Sequence, residues 1–184
     1  DYQSKKVVFC RHPFGEYAND LFSFNGIRPV VLFREPLDWL ISYYTKYGSK
    51  RFDLTGDLNK ELIIDSLNKL KEYYSYWFEF SEKKNNTDYL FIKFDKLILE
   101  EPTTFLKIFE FYGYDCSSLE LIDDCVKINS KENSLKSYKT EYIGSRFMNI
   151  KDKLASKEKI QEYAIKKIND LSLNDLYNSL PFLK

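Results

Sequence analysis

The sequence holds one histidine and three cysteines, and it has no surplus of either charge. Cys10, Cys116 and Cys125 lack the spacing of a metal site. So odd and sparse a set makes a poor disulfide framework, and reduced thiols in a cytoplasmic setting are the expectation. Twenty-eight Lys and Arg balance twenty-eight Asp and Glu, with no basic block. Nucleic-acid binders carry a basic footprint, so no nucleic-acid partner is expected. No apolar run reaches the roughly 18 residues a membrane helix needs, and no signal-peptide pattern is visible. No repeat and no linker interrupts the chain, which points to a single domain over residues 1–184.

What is present is ordinary in bulk and specific in detail. A hydrophobic content of 43% with 30% charged residues suits a soluble globular core. Fifteen Tyr and fifteen Phe are spread over helical and strand-like stretches alike, as packing residues would be. The chain opens on Asp1 and enters the apolar run Val7 to Cys10 almost at once, which reads as the middle of a domain, so sequence upstream of Asp1 is expected.

Val7 to Cys10 is a strand candidate ended by Arg11-His12-Pro13, with a short helix candidate from Tyr17 to Phe22. Val30 to Phe33 is a second strand, followed by a helix from Leu37 to Tyr47 that stops at Gly48. An amphipathic pattern runs from Leu58 to Ser81, with Leu62, Ile63, Leu67, Leu70, Tyr74, Trp77 and Phe78 recurring at helical spacing. Tyr89 to Phe94 is a third strand. Pro102 and its acidic neighbours open a helix that runs to Phe111 and ends at Gly113. Residues 127–149 read as a polar loop, and Lys157 to Ile168 as a closing helix. Continuous apolar strands alternating with helices predict an α/β fold with a mainly parallel sheet.

Ligands of such sheets sit at the carboxyl ends of the strands. Two candidate strands deliver polar residues there: the first ends in Arg11-His12 and the second in Arg34. Arg34 fits a forked contact to phosphate, and it equally fits an ion pair with Glu35 or Asp38. Ser42, two turns on, is either a further donor or a small packing residue. His12 is a general base or a structural histidine.

The stretch VVLFREPLDWLISYY resembles the 3′-phosphate-binding segment of the PAPS-dependent sulfotransferases: a hydrophobic strand, an Arg, a Ser eight residues later, then Tyr-Tyr. KKVVFCRHP is similar to the strand that leads to the catalytic histidine of the cytosolic-type members, and YLFIKFDKLILEEPTTFLKIFEFYG to their Tyr-Glu-Asp segment and following helix. Lys139 to Gly144 resembles the C-terminal cofactor loop. The resemblance implies a three-layer, P-loop NTPase-like sulfotransferase fold with a central mainly parallel sheet. It implies PAPS as sulfuryl donor, PAP as product, no metal, and a small-molecule or glycan acceptor bearing a hydroxyl or amine. It makes His12 the general base, places Arg34 and Ser42 at the 3′-phosphate and Phe94 beside the adenine, and assigns Ser130, Lys139 and Arg146 to cofactor contacts.

The sequence departs from that pattern in several places. The phosphosulfate loop, which the family carries before its histidine, has no counterpart in these residues. Cys10-Arg11 stand for Lys-Thr, Phe94 for Tyr, Lys139 for Arg, and Glu141 for Gly; Lys131 replaces an aromatic beside Ser130. A P-loop kinase-like enzyme and a non-catalytic nucleotide-binding module remain the competing readings. The tyrosines and tryptophan of the Leu58 to Phe80 segment fit either an acceptor pocket or a plain packing helix.

Overall fold

A computed structural model describes residues 28–46, 58–95, 102–114, 123–124 and 150–182. Within them the order is β1 (Val30–Phe33), α1 (Pro36–Lys46), α2 (Lys60–Lys83), β2 (Leu90–Lys93), α3 (Pro102–Phe111), α4 (Ile150–Asp170) and α5 (Leu173–Ser179). β1 and β2 pair in parallel, from Val30 opposite Leu90 to Phe33 opposite Lys93. The α/β reading therefore holds, with both described strands side by side. Phe182 makes a further isolated parallel bridge to Phe91.

Helix α2 is the spine of the core. Ile63, Leu67, Leu70, Tyr74 and Trp77, spaced by fours and threes, are all buried and form one apolar stripe. Asn59 caps its start, its Oδ1 accepting from the Leu62 amide at 2.9 Å. The stripe meets Phe33 of β1 and Phe91 of β2, whose rings lie 4.9 Å apart. Ile160, Ala164 and Ile168 of α4 and Leu173 and Tyr177 of α5 complete the same cluster.

Three elements differ from the sequence expectation. β1 reads in the sequence as a continuous apolar run, yet only Val31 and Phe33 are buried while Leu32 is 42% exposed, so the strand alternates in burial. The closing helix extends beyond Lys157 and Ile168 at both ends. It then turns through Ser172, held in the left-handed region at φ 51°, into α5, which the sequence did not announce. Helix α3 begins at Pro102 as expected and ends through Gly113 at φ +75°. There Tyr114 N–H donates to the Phe109 carbonyl and Gly113 N–H to that of Glu110, the paired bonds of a Schellman end. The expected strand Val7 to Cys10, the helix Tyr17 to Phe22 and the loop 127–149 lie outside the described residues.

Candidate functional site

The parallel register fixes what stands at the carboxyl edge of the sheet. Phe33 faces Lys93 in the last pair, so Arg34 and Phe94 follow one residue later on neighbouring strands. They meet: the Arg34 guanidinium carbon lies 5.3 Å from the centre of the Phe94 ring, within reach of a cation–π contact.

The two explanations open for Arg34 can now be separated. Glu35 caps α1, its Oε2 accepting from the Asp38 amide at 3.1 Å while its carbonyl accepts from Trp39 N at 2.8 Å. Pro36 suits the first position of that helix because it has no N–H to satisfy. Among the described residues no ion pair joins Arg34 to Glu35 or Asp38. The Arg34 Nε is buried and has no hydrogen-bond partner among them. A buried donor without an acceptor costs about 1–3 kcal/mol, so an anion that brings an acceptor to this guanidinium fits the local chemistry.

A layer of tyrosines lies beneath. Tyr74, 1% exposed, donates its hydroxyl to the Arg34 carbonyl. Burial pushes its phenol far above the ordinary range, helped by Tyr177, Tyr73 and the Glu35 carboxylate. Tyr177 is pushed up to about 12, first by burial and then by the negative charges of Asp95 and Glu35. The acids that follow Phe94 and Arg34 thus converge on one ring. Lys93 adds a cation, its Nζ 4.9 Å from the Phe182 ring and 5.6 Å from that of Tyr177.

Of the residues singled out in the sequence, Arg34 and Phe94 are brought together, and Ser42 sits part-buried on α1. His12, Ser130, Lys139 and Arg146 lie outside the described residues. Tyr74 and Trp77, open to an acceptor-pocket reading, belong to the core at 1% and 2% exposure. Sequence reasoning placed Tyr74 in the packing stripe and missed its hydroxyl; it missed Tyr177 altogether. A tyrosine at a stripe position that leucine would fill was the available signal for Tyr74, since a buried hydroxyl needs a partner. Among the described residues no helix is long and apolar enough to cross a membrane, and no group of three or more His, Cys, Asp and Glu gathers as for a metal.

Among the described residues, then, the carboxyl edge of an α/β sheet carries an arginine stacked on an aromatic and joined to no carboxylate. The comparison with known families makes this more specific: a family model described as Sulfotransferase domain matches residues 4–175. The chain belongs to the sulfotransferase family, whose reaction is transfer of a sulfuryl group. No curated protein and no solved structure matches it.

Proposed function

We propose that this protein moves a sulfuryl group from PAPS to a hydroxyl or amine of a small-molecule or glycan acceptor, on a three-layer P-loop NTPase-like frame. The observation that carries the reading is the Arg34–Phe94 pair at the carboxyl edge of the sheet, with the Arg34 Nε lacking a protein partner among the described residues. PAPS supplies the sulfuryl group and leaves as PAP. Arg34 binds the 3′-phosphate, as a fork that carries charge and direction together. Ser42 supports it from α1, and Phe94 offers a flat apolar face to the adenine. By family resemblance His12 takes the proton that the acceptor loses, and Ser130, Lys139 and Arg146 belong to the remaining cofactor contacts. The demand on the protein is to align two groups and to neutralise charge on the departing phosphate.

Calorimetric titration of PAP against adenosine 5′-phosphate tests this, on the unmodified chain and on Arg34→Ala. Hydrogen bonds to a charged group contribute about 1.5–3 kcal/mol, so the expected preference for PAP is about ten- to a hundredfold, lost in the variant. Equal affinity for the two nucleotides in the unmodified, folded chain would sink the reading.

A further inference from the structure

The Pro29 carbonyl accepts from Leu90 N at 2.9 Å and so faces β2. Successive carbonyls of a strand point to opposite edges. Those of Val31 and Phe33 therefore also face β2, and those of Leu32 and Arg34 face away from it. Adjacent tyrosines of α2 cap the last two outward carbonyls: Tyr73 donates to Leu32 at 3.2 Å, and Tyr74 donates to Arg34. Their rings pack on Phe33, at 5.4 Å and 6.0 Å between centroids.

The two caps differ in what lies next to them. Beyond Arg34 the backbone is already fixed: Pro36 restricts Glu35 to extended conformations, and Glu35 is tied into the start of α1 by its carboxylate and its carbonyl. The peptide between Arg34 and Glu35 links this rigid corner to the sheet, so holding its carbonyl holds ψ of Arg34 and with it the placement of the Arg34 backbone between strand and helix. The hydroxyl on that peptide belongs to Tyr74, which is buried within the core.

We propose that Tyr74 is a positioning residue for Arg34: its hydroxyl holds the Arg34 peptide so that the guanidinium meets the 3′-phosphate, although Tyr74 itself touches no ligand. The inference rests on the Arg34 reading given above. The Tyr74 phenol suits the task because it keeps its proton, burial holding it far above its ordinary range. Phenylalanine would fill the same space and leave the Arg34 carbonyl without this donor.

The test compares Tyr74→Phe with Tyr73→Phe, the same chemical change at the neighbouring cap, using PAP and adenosine 5′-phosphate as probes. One hydrogen bond contributes about 0.5–1.5 kcal/mol net, so Tyr74→Phe is expected to lower the preference for PAP by about two- to tenfold. Affinity for adenosine 5′-phosphate stays unchanged, and Tyr73→Phe keeps the full preference. Full preference in Tyr74→Phe, or equal loss in both variants, overturns the inference while the fall in Arg34→Ala still supports the parent reading. Absence of any preference in the unmodified chain overturns both. A readout free of variants is the Arg34 Nε–Hε resonance of the unmodified chain. It is expected to exchange slowly with solvent and to shift on addition of PAP; exchange at the rate of a free guanidinium overturns the inference.

Discussion

Two arginines stand at opposite ends of β1 and are held in opposite ways. Arg28, before the strand, donates through Nε and Nη2 to the Thr87 carbonyl at 3.0 Å and 2.7 Å, and its guanidinium lies 4.1 Å from the centre of Phe111. Arg34, after the strand, also lies over a phenylalanine, yet its Nε has no acceptor among the described residues. The first is a clamp: it ties the turn before β2 and helix α3 to the amino end of the sheet. The second has the same stacking platform and keeps a donor in reserve at the end where sheets of this class bind ligands. The same side chain is completed by a carbonyl at one end of the strand and, among the described residues, has no acceptor for its Nε at the other.

The largest perturbation removes what the two ends share. Phe33 is fully buried and packs on Phe91, Tyr73 and Phe182 at 4.9, 5.4 and 5.6 Å between centroids. Phe33→Ala is expected to cost about 3–5 kcal/mol in urea unfolding, and to loosen the Arg34 corner with it. An unchanged unfolding midpoint would show that the rings are not a common floor. Arg28→Ala divides the two ends: because Arg28 is exposed, stability should fall by only about 1 kcal/mol, with the preference for PAP intact. Loss of that preference in Arg28→Ala would break the contrast between clamp and anion site.

A further effect is on pH dependence. Unfolded phenols ionise near their usual value of 10, while folded Tyr177 keeps its proton to about 12. Over that interval the folded chain binds more protons than the unfolded one, so stability is full below about pH 10 and falls as pH rises towards 12. Denaturant titrations across this range should show the decline, and Tyr177→Phe should lessen it. A slope unaltered by Tyr177→Phe would remove the ring from the account.

The Arg34 side of this contrast was legible in the sequence. An apolar run that ends in Arg34 marks a strand with a charge at its carboxyl end, and the fours and threes from Ile63 to Trp77 mark a helix with one buried face. What the sequence could not show was register. The contact between Arg34 and Phe94 exists because Phe33 pairs with Lys93 across sixty residues of chain, and local periodicity carries no such information. Arg28 escaped notice because its partner is a backbone carbonyl, which leaves no mark in the sequence. Helix α5 escaped for another reason: LNDLYNS is short and holds residues that favour caps and turns. Burial of Leu173 and Tyr177 against the rest of the molecule supplies what its own propensity lacks.

The separation of β1 from β2 also bears on the order in which the molecule assembles. The two helices described between the strands, α1 and α2, can both begin to form from near neighbours alone. The strand pairing must close the whole intervening loop, at a cost that rises only slowly with its length, by about 0.6 kcal/mol for each doubling. Long-range pairing of this kind comes late in folding. The Arg34–Phe94 contact lies beyond the last pair of that ladder, so a nascent chain that has not yet delivered β2 has no such edge, and the contact itself reports that the two strands have paired.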